Sequence, residues 1–205
     1  MPPTSAIVTD VSGSTAVIRL NEPAKRNPLS GSTLNRLRDV VSSLTAREDL
    51  RVIIFTGSED VFASGADIRE LTQLDPERAL EFSQFGQNLF KTIANARQVT
   101  IAAINGYCMG GGLDLALACD LRIASPQAVF RHPGAGLGII TGWGGTQRLP
   151  RLIGRARSLE FLLTTRWLKS TEALRMGLVS SIADDVLATA LAAARDIQKT
   201  SGAKP

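Results

Sequence analysis

Three consecutive glycines, Gly110-Gly111-Gly112, stand between an apolar stretch, Thr100 to Ile104, and the helix-forming run Leu113-Asp114-Leu115-Ala116-Leu117-Ala118. The order strand, glycine turn, helix constrains this chain more than any other local feature. Backbone N–H groups at a helix start lack an intrahelical acceptor and are open to an anionic oxygen. Glycine removes the Cβ that would hold a ligand away from that backbone. Asp114 falls in the first helical turn. An anion cradle with a carboxylate beside it suits proton transfer next to a developing negative charge. A plainer role for Asp114, complementing the helix dipole, fits the same position.

Around this centre the pattern alternates strand and helix. Ala6 to Val11 and Thr15 to Leu20 read as a hairpin about Ser12-Gly13-Ser14. Ser30 or Ser32 caps a helix running to about Arg47, with Leu34, Leu37, Val40, Val41 and Leu44 on one face. Arg51 to Thr56 is a short buried strand, and Val61 to Asp67 a loop of small residues leading into a helix near Ala66. Pro76 opens a longer helix to about Ala96. Its Phe82, Phe85, Leu89 and Ile93 recur at helical spacing and predict core packing. Leu121 to Ala124 is a strand, and Gly134 to Gly145, with six glycines in twelve residues, is a loop of special backbone conformations. Helices follow at Thr146 to Ile153, Arg155 to Thr164, Thr171 to Met176 and Val186 to Gln198. No internal repeat or linker is visible. The alternation predicts an α/β class with parallel strands in one domain, 1–205.

Bulk properties narrow the function. The net charge is +4, but Lys and Arg form no basic run, and aromatic residues make up 5%. Both argue against a nucleic-acid platform. Cys108 and Cys119 lie in apolar segments, are no disulfide framework, and read as small core residues of a reducing compartment. No apolar run has the length of a membrane span, and no signal peptide pattern opens the chain, so the expected address is cytoplasmic.

Several site chemistries fail on residue type. A dinucleotide fingerprint needs a third glycine where Leu115 stands, and a P-loop needs Lys then Ser or Thr where Leu113-Asp114 stand. A serine hydrolase lacks its Gly-x-Ser-x-Gly elbow. A zinc site lacks both closely spaced cysteines and a second histidine, so no metal is expected. His132, the single histidine, reads either as a group titrating near neutrality or as a hydrogen-bonded loop residue before Pro133. Asp120 reads as structural.

Five ordered motifs resemble the crotonase family, the enoyl-CoA hydratase/isomerase superfamily, over about Ala6 to Gln198. They are Glu22-Pro23-Ala24-Lys25-Arg26-Asn27-Pro28-Leu29, Phe62-Ala63-Ser64-Gly65-Ala66-Asp67-Ile68-Arg69-Glu70-Leu71, Ile101 to Gly106 leading into the glycine triplet, Gly144-Gly145-Thr146-Gln147-Arg148-Leu149-Pro150-Arg151, and Ala173 to Ser180. The resemblance implies a spiral of ββα units that binds an acyl-CoA thioester, with coenzyme A part of the substrate and no separate cofactor. By position it makes the N–H groups of Ala66 and Gly111 the oxyanion hole. Each such donor is worth roughly 3–4 kcal/mol in comparable sites. It places Ala24, Lys25, Arg26, Ala66, Asp67, Ile68 and Arg69 around the CoA, with Lys25, Arg26 and Arg69 toward its phosphates. A trimer or dimer of trimers is the implied assembly.

Two departures qualify the resemblance. Hydratases of this family use two glutamates. Asp114, shorter by a methylene, holds the first position, and Gly134 holds the second, just after His132-Pro133. Asp114 is then the main acid/base, with His132 a possible second titrating group beside the gap. Double-bond isomerisation, decarboxylation or thioester hydrolysis become alternatives to hydration, as does a non-catalytic CoA-binding relative. The family pattern also continues beyond the last helix, whereas this chain stops at Pro205, which implies a more open site or one completed differently by a neighbour.

Overall fold

A computed structural model describes residues 5–200. Ten strands, β1 (Ile7–Ser12), β2 (Thr15–Leu20), β3 (Val52–Thr56), β4 (Val61–Ala63), β5 (Val99–Ile104), β6 (Tyr107–Met109), β7 (Leu121–Ala124), β8 (Val129–Arg131), β9 (Leu168–Lys169) and β10 (Ser181–Ile182), form two sheets among the described residues. Eight helices surround them: α1 (Gly31–Thr45), α2 (Ile68–Leu71), α3 (Pro76–Ala94), α4 (Gly111–Ala118), α5 (Gly145–Ile153), α6 (Arg155–Thr164), α7 (Ser170–Met176) and α8 (Val186–Lys199).

The larger sheet runs β1-β2-β3-β5-β7-β10, parallel except for the antiparallel hairpin β1–β2. The smaller runs β4-β6-β8-β9. Consecutive strand pairs β3/β4, β5/β6 and β7/β8 send their first member to the large sheet and their second to the small one, and a helix follows each pair. This is the ββα spiral that the motifs imply. The repeat is one of architecture, and the three units share no residue pattern that would reveal it in the sequence.

Alternation along the strands explains why the large sheet is covered on both faces. Ile53, Phe55, Ala102 and Ile104 enter the main core with α1, α3 and α4, while Val52, Ile54, Ile101 and Ala103 pack against Val186, Ala190 and Ala194 of α8. Both faces are apolar, so these strands read as continuous hydrophobic runs. The helix starts follow cap chemistry: Ser30 accepts from the Thr33 N–H, Asp75 from Arg78 with Pro76 at the first helical position, and Asp185 from Ala188. Asp120 accepts from both the N–H and hydroxyl of Thr100 at 2.7 and 2.8 Å, confirming its structural role. Cys108 and Cys119 are buried in the core. Among the described residues no helix is long and apolar enough to cross a membrane.

Two expectations need correction. Val61–Ala63 is a strand rather than loop, and the helix after it starts at Ile68, with Asp67 as its cap. A further strand, Tyr107–Met109, stands between Gly106 and the glycine triplet. Three residues are too few to show a period. What makes them strands is pairing with neighbours on the small sheet, β4 with β6 and β6 with β8.

Candidate active site

The site assembles where the first and second of these ββα units meet. Gly65 (φ +92°) brings the chain after β4 against the start of α4. A Cβ on Gly65 would lie 2.8 Å from the Gly111 nitrogen and 2.9 Å from the Met109 carbonyl. Gly110 adopts φ +48°, ψ −120°, a conformation closed to residues with a side chain, and donates its N–H to the Arg131 carbonyl at 2.9 Å. Gly112 lies against the Ala63 backbone. The next residue on each side, Ala66 and Gly111, therefore sit close together. Among the described residues neither N–H donates a hydrogen bond. Two unengaged N–H groups beside one cavity are what an oxyanion hole requires.

Asp114 follows Gly111 by three residues on α4 and is buried. Its Oδ2 accepts a 2.6 Å hydrogen bond from the Thr141 hydroxyl, while Oδ1 has no hydrogen-bond partner. Gly145, the first residue of α5, lies against Oδ1 so closely that a Cβ there would overlap it. The carboxyl thus faces the start of α5 as well as lying in the first turn of α4, and both helix starts favour its ionised form. Burial opposes them and dominates, raising its pKa to about 6. The Thr141 hydrogen bond, the Arg148 charge and the Trp143 backbone pull in the other direction with smaller effect. A carboxyl poised near 6 gives and takes protons at physiological pH.

Ala66, Gly111, Asp114, His132 and Gly134 all line one cavity of about 420 Å³ with predominantly apolar walls. His132 is buried, and burial lowers its pKa to about 4, so it is neutral at pH 7 rather than titrating there. Its Nε2 is enclosed without a partner, contrary to the hydrogen-bonded loop reading. Gly134 is enclosed by its own turn: the Ile139 N–H donates to the Gly134 carbonyl, and a Cβ on Gly134 would lie 2.8 Å from the Ile139 carbonyl and 3.2 Å from His132 Nδ1. This position lacks both a carboxylate and the room for one.

Of the remaining predicted residues only Ile68 lines the cavity. The loop carrying Ala24, Lys25 and Arg26 is laced to β4 and the residues that follow it. Asn27 donates to the Val61 and Phe62 carbonyls, the Ser64 N–H donates to the Arg26 carbonyl, and the Leu29 N–H to Gly65. Ala24, Lys25 and Arg26 are exposed and outside the cavity lining. Ile68 lines the cavity at its rim. Lys25 pairs with Glu22 at 2.6 Å and Arg69 with Asp67 at 2.9 Å.

Sequence reasoning missed four contributors: Thr141, Trp143, Gly145 and Phe82. Phe82, expected in the core with Leu89 and Ile93, does pack against the core, and it also lines the cavity. Trp143 carried a usable signal, since a large aromatic in a loop of glycines has no local reason to be there.

The chain belongs to the enoyl-CoA hydratase/isomerase family: residues 10–204 match the family model described as Enoyl-CoA hydratase/isomerase. It is similar to a protein of Syntrophomonas wolfei named Crotonyl-CoA hydratase, with 41% identity over 168 residues, 82% of this chain and 65% of that one. It is also similar to the Short-chain-enoyl-CoA hydratase of Clostridium acetobutylicum, with 36% identity over 87% of this chain and 69% of that one. The chain therefore spans about two thirds of the length of these curated relatives. Among solved structures, DspI of Pseudomonas aeruginosa superposes with a TM-score of 0.91 at 35% identity, over 97% of this chain and 82% of that one. An enoyl-CoA hydratase from Bacillus anthracis gives 0.90 at 34%, over 95% and 77%.

Proposed function

We propose that this chain binds an acyl-CoA thioester and stabilises the enolate of its acyl group, with Ala66 and Gly111 donating to the thioester oxygen and Asp114 as the principal acid/base. The observation that carries this reading is the juxtaposition of two unengaged N–H groups with one buried carboxylate in a single apolar cavity. The names of the relatives, which are enoyl-CoA hydratases, support the substrate class.

The balance of the chemistry favours a one-carboxylate reaction. Ionised Asp114 takes a proton from C2 of a 3-enoyl thioester, and the electron pair moves onto the thioester oxygen, where two fixed donors receive the charge. The same carboxyl, now protonated, returns its proton at C4, and the double bond ends between C2 and C3. Water addition needs a second proton-handling group, and Gly134 supplies none. The neutral imidazole of His132 is the nearest polar side chain to that gap and would offer a hydrogen bond in place of a carboxylate. Decarboxylation or thioester hydrolysis would draw on the same enolate or oxyanion stabilisation. A non-catalytic CoA-binding role is the weaker reading, because two unengaged N–H groups and a buried carboxylate share one cavity.

The Lys25–Glu22 and Arg69–Asp67 pairs involve exposed cations. Such pairs carry little net energy, so both cations are free to exchange a carboxylate for a CoA phosphate, alongside Arg26. A trimer or dimer of trimers is the assembly we propose, and sedimentation velocity reads it directly.

Incubating a panel of acyl-CoA thioesters in deuterated water and reading products by mass spectrometry tests the reaction. We expect conversion of 3-enoyl to 2-enoyl thioester with deuterium entering the acyl chain, and crotonyl-CoA hydration slower by about 100-fold, the contribution of one general acid or base. Efficient hydration without such conversion would overturn the one-carboxylate mechanism. Gly134→Glu is expected not to restore hydration. Its Cβ meets the Ile139 carbonyl, so the turn must open at a cost of about 1–3 kcal/mol, seen as a lower melting temperature. A folded Gly134→Glu protein with a large gain in hydration would show that the missing carboxylate alone is limiting.

A further inference from the structure

The indole of Trp143 lies in the wall of the cavity beside the oxyanion hole, and it is held with unusual firmness for a loop residue. It is 4% exposed. Its two edges press on glycines of two different helices. A Cβ on Gly86 of α3 would overlap the pyrrole edge at Cδ1 and Nε1, and a Cβ on Gly111 of α4 would overlap the benzo edge at Cζ3. Phe90 meets the ring edge-on at 5.6 Å between centroids, and Phe82 lies tilted against it at 5.3 Å. The backbone on either side is pinned as well. The Gly142 carbonyl accepts from Ser83 and Gln87 of α3, and the Trp143 carbonyl accepts from Arg148 at 3.0 Å.

The benzo edge touches Gly111, whose N–H is one of the two donors, and two residues on from Trp143 comes Gly145, against the Asp114 carboxyl. The indole therefore stands between the proposed oxyanion donor and the segment that packs on the Asp114 carboxyl. The opposite side is different in kind. Leu137, Ile139 and Ile140 are 50%, 48% and 72% exposed, a rim on an outer loop that can give way. The indole, by contrast, is almost fully buried.

We propose that Trp143 sets the length of acyl chain this site accepts, restricting it to short chains. The proposal rests on the acyl-thioester reading above and adds a substrate class to it. A rigid aromatic wall excludes extra methylenes by overlap, and a pocket of this kind discriminates by about 10-fold or more against a chain that does not fit. Replacing the indole by a methyl group opens a channel between α3 and α4 lined by Phe82, Phe90 and the two glycines.

Calorimetric titration with unreactive saturated thioesters tests this without depending on turnover. The native protein is expected to bind butyryl-CoA at least about tenfold more tightly than octanoyl-CoA. Trp143→Ala is expected to lower that ratio by about tenfold, and Trp143→Phe by a smaller factor in the same direction. Circular dichroism confirms that each variant is folded. A folded Trp143→Ala protein with the native ratio overturns the proposal, as does a native protein that binds octanoyl-CoA as well as butyryl-CoA. Should Trp143→Ala not fold, Trp143→Phe decides, and an unchanged ratio there is equally fatal. If the native protein binds neither thioester nor free CoA, the acyl-thioester reading itself fails. If it binds CoA with no length preference, only the role of Trp143 does.

Discussion

Asp114→Asn is expected to lower turnover by about 10²–10⁴-fold, the usual contribution of a positioned general acid or base, while leaving the protein folded. The substitution is nearly isosteric. The amide oxygen still accepts the Thr141 hydroxyl, and the buried site loses a charge rather than a packed group. The pH dependence has a definite sign. Burial raises the Asp114 pKa to about 6, and proton abstraction needs the ionised form. In the native enzyme kcat/KM should therefore rise with pH through about 6 and reach a plateau above it. The residual rate of Asp114→Asn should lack that limb.

Stability moves the opposite way. A carboxyl whose pKa is raised by folding imposes no ionisation cost below the ordinary carboxylate range. The cost grows as pH climbs toward 6 and is fully present above. At pH 7 Asp114→Asn is thus expected to melt no lower than the native protein. A variant that lost both activity and several degrees of melting temperature would indicate a structural rather than a chemical role for the carboxylate.

The contrast between Asp114 and Trp143 shows what the sequence could and could not reveal. Asp114 was visible because a strand, a glycine turn and a helix start are local features with local physical reasons. Thr100–Ile104, Leu121–Ala124 and the capped helices were legible on the same ground. Thr141, Trp143 and Gly145 act on Asp114 and Gly111 from some 30 residues away in the chain. Nothing in their own neighbourhood encodes that contact. The small sheet was hidden for a related reason: Val61–Ala63, Tyr107–Met109 and Val129–Arg131 are each three residues long and owe their strand form to one another. The resemblance named Ala66 as a donor. The structure supplies the reason it stands beside Gly111, the tight approach that only a glycine at 65 permits.

Gly111→Ala tests that approach most directly, and we expect it to reduce turnover by about 10²–10³-fold, the loss seen when one oxyanion donor is removed. The added methyl would not touch the thioester oxygen. It would overlap the benzo edge of Trp143, which is itself fixed by Gly86, Phe82 and Phe90 and cannot swing aside. The relief available is for the start of α4 to shift, which carries the Gly111 N–H away from its aim and alters its spacing from Ala66. A displacement of about 1 Å at a reacting centre is enough for a loss of this order. The companion substitution Gly86→Ala meets the opposite edge of the same ring but carries no donor. It should lower the melting temperature while costing less activity. If the two variants lose activity equally and in proportion to stability, the glycine at 111 serves packing alone. If Gly111→Ala alone collapses turnover while CoA binding persists, the N–H at that position is the donor on which the chemistry turns.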